Sequence, residues 1–458
     1  MDSRVYLRRV LGVIIVCATC GIVISCSPMK QPAATNSIEG TPTWSVVPTL
    51  TKETPTIQAL LANTPTYPIP APSNTGAPTH LPTAETPAPT SDLTMTQEPT
   101  SLAPCGRHIA FQSTHSGVAS IALVDVCSQQ VTWLTDGTNY AESPQWSPDG
   151  RSIAFLARAA APSGGDYRDL CLIDIQTHAI TRLTNGINIE PCGPFAWSPN
   201  GQEILFSSQS EHYKGYVQSM ILRVSDGDVR TLPDGLAGPF SWSPNSLRIA
   251  LAMDEDLFNG ATPDESVIRP GLLVIIQPDG RVIAGNQEHG SYPLYSSRSW
   301  LWSPENQRVA VAEWPMARGD GGDIRLIEIE GQELVVRARL QDLMPSVKDL
   351  IVHSLAWSPT GDEIAFVLVS PDHLDITIGG QVYVADRNFT RLRTITPEGM
   401  ACAGVEWAPD GSQLVFVCDD GPPRASLWLV NPDGTGLHRI TKPEEGTGYP
   451  GWQPVVAP

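Results

Sequence analysis

The sequence predicts an all-β protein built from seven repeats of a four-stranded unit, and three observations lead to this prediction. A Trp-x-Pro element recurs seven times between Trp146 and Trp452, at intervals of 45 to 60 residues. A short apolar run such as Ile153-Ala154-Phe155 follows every copy except the last. The chain of 458 residues also holds 42 prolines and 38 glycines, which favours many turns and argues against a helical bundle.

A tight turn follows the tryptophan in each repeat. In the Ser-Pro-Asp-Gly sequence at 147–150, proline presets φ at the second position, aspartate tolerates the third and glycine closes the turn. The segment that ends at Trp146 and the segment that starts at Ile153 should therefore pair as antiparallel strands. Ser246 and Asn306 replace the glycine in the third and fourth copies, which leaves the turn geometry open there.

Two further strands complete each repeat. A third apolar run follows the hairpin, and a fourth often ends in Leu-Thr or Ile-Thr, as at Leu134-Thr135. Four short strands repeated seven times are typical of a β-propeller. Residues 107–135 supply only three strands, so residues 449–452 should add the missing inner strand. The prediction is a seven-bladed propeller over residues 105–458, with the first blade closed by the C-terminal strand.

The repeated core Trp-Ser-Pro-Asp-Gly-x-x-Ile-Ala-Phe resembles the WD40-like repeat of the TolB-type propeller family. The resemblance covers residues 105–458 and implies the propeller fold. It does not imply the family's cellular role, because TolB proteins carry an α/β domain before the propeller and here a linker precedes it. The repeated tryptophans are expected to pack between neighbouring blades.

The N-terminus has the layout of an export signal. Residues 1–25 combine the basic residues Arg4, Arg8 and Arg9 with an apolar stretch that is short for a membrane span. The stretch ends in Val-Ile-Ser-Cys at 23–26, which resembles the lipobox of bacterial lipoproteins and implies cleavage before Cys26 and acylation of its thiol. An uncleaved hydrophobic anchor is the alternative. Both interpretations place the remainder in the cell envelope, attached to a membrane and outside the cytoplasm.

Residues 26–104 form a linker of distinct composition. The stretch 27–104 holds 15 of the 42 prolines and 17 threonines, with few large apolar residues. Such a segment cannot bury a core and favours extended conformations, so we expect a disordered stalk.

The net charge limits the choice of partners. The whole chain carries −19, and removal of residues 1–25 leaves 26 basic and 47 acidic residues, a charge of −21. Such a charge repels phosphate backbones, so nucleic acid is not an expected partner.

Six cysteines remain after the signal segment and Cys26 are set aside, and an even number in an exported chain favours disulfides. Antiparallel geometry predicts the pairs Cys105–Cys127 and Cys402–Cys418. Cys171, at the start of a third strand, and Cys192, at the start of the next blade's inner strand, remain as the third expected pair, near one face. A zinc site is the alternative, but the Cys-x-x-Cys spacing of common zinc sites is absent.

The connections between second and third strands are long, and they should emerge on one rim of the ring. The expected ranges are 157–169, 208–216, 253–270, 313–323 and 368–380. Long loops on a rigid scaffold are where binding usually resides. Acidic residues dominate these connections and would suit a cationic partner or a Ca²⁺ ion, although no specific calcium motif is present and no cofactor is expected; solvated loop charge is the alternative for each residue. The candidate binding residues are Asp166, Tyr167, Arg168, Tyr213, Asp254, Asp256, Arg318, Asp320, Asp372, His373 and Asp375.

Two functions remain open at this point. The first is a membrane-anchored module that binds or scaffolds a protein, peptide or glycan through the long-loop face. The second is a stand-alone propeller enzyme, a polysaccharide lyase or hydrolase with its site at the ring centre. Related repeats accompany the α/β-hydrolase domain of prolyl oligopeptidases, but this sequence has no Gly-x-Ser-x-Gly motif, and no catalytic residue is predicted.

Overall fold

A computed structural model of the chain describes residues 106–138, 140–160, 166–187, 189, 195–209, 217–233, 236–254, 271–285, 300–313, 322–369, 379–419, 425–445 and 447–455. These residues form seven four-stranded sheets, which confirms the predicted seven-bladed β-propeller. The predicted signal segment, Cys26 and the linker lie outside the described residues.

The first four blades each contain four antiparallel strands. Blade 1 contains β1 (His108–Ser113), β2 (Ser120–Asp125) and β3 (Val131–Trp133), and its fourth strand is the C-terminal strand β28 (Thr447–Trp452). Blade 2 contains β4 (Ala141–Trp146), β5 (Ser152–Ala160), β6 (Asp166–Asp174) and β7 (Ile180–Arg182). Blade 3 contains β8 (Phe195–Trp197), β9 (Glu203–Gln209), β10 (Val217–Arg223) and β11 (Val229–Thr231). Blade 4 contains β12 (Leu236–Trp242), β13 (Ile249–Asp254), β14 (Gly271–Ile276) and β15 (Val282–Gly285).

The remaining blades follow the same order. Blade 5 contains β16 (Trp300–Trp302), β17 (Arg308–Glu313), β18 (Asp323–Glu330) and β19 (Glu333–Arg339). The short helix α1 (Leu340–Leu343) and a 3₁₀ turn (Pro345–Asp349) lead to blade 6: β20 (Ile351–Trp357), β21 (Glu363–Val369), β22 (Gln381–Asp386) and β23 (Leu392–Thr394). Blade 7 contains β24 (Cys402–Trp407), β25 (Leu414–Asp419), β26 (Ala425–Val430) and β27 (His438–Arg439), and a 3₁₀ turn (Pro443–Glu445) precedes β28 (Thr447–Trp452).

The two ends of the propeller meet in blade 1, as the sequence predicts. Its strand order is β28-β1-β2-β3, so the C-terminal strand supplies the inner strand. Trp452 pairs with Ile109 and Gly451 with Ala110, and a bulge follows before Gly448 pairs with Gln112. The ring is therefore closed by hydrogen bonds between segments more than 300 residues apart in the chain.

The apolar core lies between blades. Each of seven buried clusters combines side chains from two neighbouring sheets; one joins Ile121 of blade 1 to Trp146 and Phe155 of blade 2. First strands of neighbouring blades lie against one another, whereas β7, a fourth strand, is exposed. First strands are therefore innermost, and each blade depends on its neighbours for burial.

The repeated tryptophans connect the blades by hydrogen bonds as well as by packing. In four blades the indole N–H donates to a carbonyl oxygen of the preceding blade, and the acceptor is always the residue before that blade's own repeat tryptophan. The four pairs are Trp146 to Gly451 at 2.9 Å, Trp302 to Ser241 at 3.1 Å, Trp357 to Leu301 at 3.2 Å and Trp407 to Ala356 at 3.1 Å. Among the described residues, Nε1 of Trp197, Trp242 and Trp452 has no such partner.

The Ser-Pro-Asp-Gly turn is locked by its serine. Ser147 Oγ donates to Asp149 and accepts from the Ser152 amide at 3.0 Å. Gly150 takes a left-handed φ of 65°. Ser246 and Asn306 take the same conformation, with φ values of 60° and 62°.

Both substitutions for glycine also contact the preceding blade. Ser246 Oγ accepts from the Asn200 amide at 3.0 Å, and Asn306 Oδ1 accepts from the Asn245 amide at 2.9 Å. The turn geometry left open by the sequence is therefore retained, and each side chain adds a contact between blades that glycine could not make.

The Leu-Thr and Ile-Thr motif ends the fourth strand with a side-chain hydrogen bond. The threonine Oγ1 accepts from a backbone amide in the third strand of the same blade, always 14 residues earlier. The pairs are Thr135 with Ile121, Thr184 with Leu170, Thr396 with Val382 and Thr441 with Leu427, at 2.8 to 3.0 Å. The motif is therefore explained by strand pairing.

The connections expected between second and third strands are shorter than the sequence suggested. In blade 2 the expected connection 157–169 is largely strand, because β5 runs to Ala160 and β6 starts at Asp166. Arg158 lies opposite Arg168 in this hairpin. The Arg168 side chain forms a buried ion pair with Glu142. Polar residues that look like a loop in the sequence thus extend a hairpin.

The indole hydrogen bonds predict a measurable difference between two matched substitutions. Trp407→Phe removes the bond to Ala356, whereas Trp242→Phe removes a similarly buried indole whose N–H has no partner. Trp407→Phe should lower the free energy of unfolding by about 1 kcal/mol more than Trp242→Phe does, because a buried acceptor loses its donor. Urea unfolding of both variants measures the difference, and equal losses would contradict this account of the bond.

Candidate functional site

The two rims of the ring differ in their connections. On one rim, which we call the turn rim, tight turns join first to second and third to fourth strands. On the other, the loop rim, lie the links between blades and the connections from second to third strands. The connections from second to third strands span 114–119, 161–165, 210–216, 255–270, 314–322, 370–380 and 420–424.

The residues predicted to form the binding face fall into three groups. Asp166 and Tyr167 begin β6 and Asp254 ends β13, which places their backbone at the loop rim. Arg168 is described with its side chain and is buried. The others lie outside the described residues: Tyr213, Asp256, Arg318, Asp320, Asp372, His373 and Asp375.

Arg168 forms a buried ion pair beneath the loop rim. Its Nε donates to Glu142 Oε1 at 2.7 Å, and the two residues are 3% and 1% exposed. The guanidinium also lies over the ring of Tyr140, 5.2 Å from its centroid. Arg168 therefore joins β6 to the innermost strand β4 and is not free to meet a partner at the surface.

A second polar network lies beside this pair. Asp169 is 2% exposed; it contacts Arg182 in a short ion pair and accepts from Thr184 Oγ1 at 3.1 Å. Arg182 Nε also donates to the Thr184 carbonyl at 3.0 Å. Both carboxylates at this end of blade 2 are thus matched by arginines, which satisfies their charge within the blade.

Arg168 is among the binding residues predicted from the sequence, whereas its partner Glu142 is not. The available signal was an acidic residue inside the inner strand β4, where its neighbour Ala141 is buried, because a buried carboxylate requires a cationic partner. The link that follows blade 2 also holds Arg168 in place. Ile189 of this link forms β-bridges with both Arg168 and Ser208, and so connects blade 2 to blade 3.

Asp323 at the start of β18 is a third buried carboxylate at the loop rim. Its Oδ1 accepts from the amides of Ile324 and Gln341 at 2.8 and 2.9 Å. Burial raises the pKa of this carboxyl, and the Arg325 guanidinium lies 3.9 Å away. The residue therefore fixes the start of α1 against blade 5.

A disulfide joins Cys402 of β24 to Cys418 of β25, which confirms the pairing predicted from strand geometry. Gly380 lies directly against it: its amide donates to the Cys402 carbonyl at 2.9 Å and its carbonyl accepts from the Cys402 amide at 2.8 Å. A Cβ atom at Gly380 would collide with the Leu368 carbonyl, so glycine is required there. The disulfide joins two strands of blade 7, and the Gly380 hydrogen bonds attach blade 6 to blade 7 at the loop rim.

The other cysteine predictions have different outcomes. Cys127 is disulfide-bonded, while its expected partner Cys105 lies outside the described residues. Cys171 has a free, buried thiol, so the expected pairing with Cys192 is wrong. The reason is that Cys171 lies in the middle of β6 and packs with Trp146 and Phe155 between blades. Burial raises the pKa of this thiol to about 11.

Charge is distributed unequally between the rims. By sequence, the connections at the loop rim hold 18 acidic and seven basic residues, whereas those at the turn rim hold eight and five. Several acidic residues near the turn rim are also paired with arginines, including Glu203 with Arg230 and Glu363 with Arg393, both at 2.7 Å. By sequence, the excess of acidic over basic residues is therefore larger in the connections that join strands at the loop rim.

The turn rim carries a cleft where the ring closes. The cleft has a volume of about 300 Å³ and lies between the start of β1, the end of β28 and the turn that follows β24. Its lining comprises Gly106, Arg107, His108, Pro409, Asp410, Trp452, Gln453, Pro454 and Val455.

Neither a metal-binding cluster nor a membrane-spanning helix occurs in the described part of the chain. In these residues no three His, Cys, Asp or Glu side chains lie close enough together to hold a metal ion. No helix among the described elements is long and apolar enough to cross a membrane.

The buried ion pair predicts a large effect on stability. Arg168→Met leaves the Glu142 carboxylate buried without its arginine and should lower the free energy of unfolding by about 3–5 kcal/mol. Arg158→Met changes the exposed cross-strand neighbour and should cost less than about 1 kcal/mol. Chemical unfolding followed by tryptophan fluorescence compares the two. A loss of under 1 kcal/mol for Arg168→Met would contradict the buried pair.

Known proteins match the chain over a short stretch or at low identity. No protein-family model matches the chain. A stretch of 79 residues is 34% identical to the Tol-Pal system protein TolB of Francisella tularensis subsp. mediasiatica, and this match covers 17% of the chain and 18% of that relative. The TolB proteins of two F. tularensis subsp. tularensis strains match to the same extent, so the match spans less than a fifth of each relative.

Solved structures match the chain over long stretches, at low identity and with TM-scores below 0.5. TolB from Acinetobacter baumannii superposes with a TM-score of 0.47 at 14% identity, over 77% of this chain and 68% of that one. The β-propeller domain of the trilobed protease from Pyrococcus furiosus gives a TM-score of 0.49 at 14% identity, over 72% and 88%. The chain is a seven-bladed β-propeller of four-stranded blades whose repeats resemble those of the TolB type.

Proposed function

We propose that the protein is a lipid-anchored, extracytoplasmic scaffold that binds a positively charged segment of a protein or peptide at its loop rim. The observation that supports this most directly is the contrast between the rims. One carries tight turns and paired charges, and the other carries connections of up to 16 residues with a marked excess of acidic residues. Binding sites commonly lie on such loops, held by a rigid frame.

Rigidity of the frame comes from the contacts already described. Indole hydrogen bonds link blades through their inner strands, and turn contacts such as Ser246 with Asn200 link them at the turn rim. The strand β28 closes the ring. A partner at the loop rim would therefore meet a surface whose strand ends are fixed in advance, which reduces the ordering cost of binding.

The negative rim would act mainly on the rate of encounter. Several like charges on one surface attract a cationic partner and raise the association rate, and salt screens the effect beyond about 8 Å at physiological ionic strength. Three exposed acids at this rim are described and belong to separate links: Asp136, Asp342 and Glu398. They offer a way to change the rim's charge without touching the core.

The N-terminal sequence supports the location in this proposal. The export signal, the lipobox cysteine Cys26 and the linker of residues 26–104 fit a propeller held at a distance from a membrane. Acylation of Cys26 is part of the proposal and is tested by the mass of the mature N-terminus.

A matched pair of triple variants tests the binding surface. The loop-rim variant carries Asp136→Asn, Asp342→Asn and Glu398→Gln; the turn-rim variant carries Asp149→Asn, Asp279→Asn and Asp433→Asn, all at exposed turn positions. Each removes three negative charges. Capture of envelope proteins by the immobilised mature chain should fall about tenfold for the loop-rim variant alone, because steering by the rim is weakened.

The outcomes separate the alternatives. The same captured protein should also be released by raised salt, as expected for an electrostatic encounter. Equal capture by both variants and the wild-type chain would contradict binding through loop-rim charge. Retention of a glycan from an array by wild type, with no protein retained, would replace the proposed partner class.

A further inference from the structure

The cleft at the turn rim contains hydrogen-bond donors that lack acceptors. Arg107 lies over the Trp452 ring, with its guanidinium 5.1 Å from the ring centroid. Its Nη2 is buried, has no hydrogen-bond acceptor among the described residues and lies 3.7 Å from Asp410 Oδ2. Nε1 of Trp452 is likewise buried without a partner in the described chain. Buried donors without acceptors are rare in folded proteins and costly.

Two side-chain acceptors in the cleft, Asp410 Oδ1 and Gln453 Oε1, already have partners. Asp410 Oδ1 accepts from the Ser412 amide at 2.9 Å and from its hydroxyl at 2.6 Å, and these bonds lower the pKa of the Asp410 carboxyl. Gln453 Oε1 lies 3.0 Å from His108 Nδ1, and Gln453 Nε2 donates to the Gly150 carbonyl. The cleft thus offers the donors of Arg107 and Trp452, and its remaining carboxylate oxygen, Asp410 Oδ2, faces Arg107.

The apolar part of the lining matches a ligand with few donors. Pro409, Pro454 and Val455 line the cleft around the Trp452 indole, and Val455 is 74% exposed. An extended proline-rich segment presents free backbone carbonyls and apolar rings, and each proline lacks an N–H group. Grooves with an aromatic wall bind such segments in many recognition domains. The donors of Arg107 and Trp452 would meet carbonyl oxygens of this kind.

The chain itself contains a segment of this chemistry, which precedes the cleft residue Gly106 in the sequence. Residues 27–104 hold 15 prolines, and eight of them lie within 65–89. This part of the sequence leads to Gly106, which lines the cleft. The 16 residues from 90 to 105 span up to about 50 Å when extended, which is enough to return to the cleft, and such a tether gives a local concentration in the millimolar range.

We infer that the cleft at the ring closure is a docking site for an extended proline-rich segment, supplied by residues 65–89 of the same chain. Docking would place the linker against the blade where the N- and C-terminal strands meet. The loop rim, on the opposite side of the ring, stays open to a partner. The linker would then set the orientation of the propeller on its anchor.

Amide hydrogen exchange on the full chain tests this inference. Amides within 65–89 should exchange about tenfold more slowly in the wild-type chain than in Arg107→Ala, the protection expected when the docked state is occupied roughly 90% of the time. Arg151→Ala, an exposed arginine at the turn rim of blade 2, is the matched control and should leave the protection unchanged.

A second variant leaves the cleft intact and covers the case in which Arg107→Ala disturbs the ring closure. It replaces with serine the eight prolines of the segment, at positions 65, 68, 70, 72, 78, 82, 87 and 89. Exchange at 106–108 and 453–455 should then rise by a similar factor.

Three results would overturn the inference. Random-coil exchange of 65–89 in the wild-type chain would exclude docking. Protection that survives both Arg107→Ala and the proline variant would exclude this cleft as the site. Protection that falls when the protein is diluted would assign the segment to a second copy instead of the same chain.

Discussion

The pairing of β28 with β1 is the constraint on which the rest of this structure depends. Each blade buries its apolar side chains against two neighbours, so an open ring would expose one face of blade 1 and one of blade 7. The closing strand brings Trp452 into the apolar cluster between blades 1 and 7. It also places the Gly451 carbonyl where the Trp146 indole donates to it. Closure thus completes both the core and the hydrogen bonds between blades.

The ring divides its two rims between stability and variation. At the turn rim, a serine hydroxyl, a left-handed residue and contacts to the previous blade recur from repeat to repeat. At the loop rim, each blade is fixed differently: blade 2 by the pair of Glu142 and Arg168, blades 6 and 7 by Gly380 and the disulfide. Contacts that differ between blades at the loop rim, held by a frame that is fixed at the turn rim, are a suitable basis for a binding surface.

Repetition determines how much of this could be predicted from the sequence. The blade count, the closure and the pairing of Cys402 with Cys418 follow from a motif seen seven times and from antiparallel geometry. Contacts that occur once could not be read this way: Glu142 with Arg168 joins two non-adjacent strands of blade 2, and Gly380 with Cys402 joins blade 6 to blade 7. Cys171 was misplaced because β6 extends to Asp166, which moves this residue from the strand start into the core. The cleft also escaped sequence analysis, since it joins residues from both ends of the propeller.

Strand complementation tests the closure most directly. A chain truncated before Thr447 should unfold at a much lower urea concentration than the intact chain, and a synthetic peptide of residues 447–458 should restore the lost stability in a concentration-dependent manner. Truncation that leaves the unfolding midpoint unchanged, or a peptide without effect on a destabilised chain, would contradict the central role of this strand.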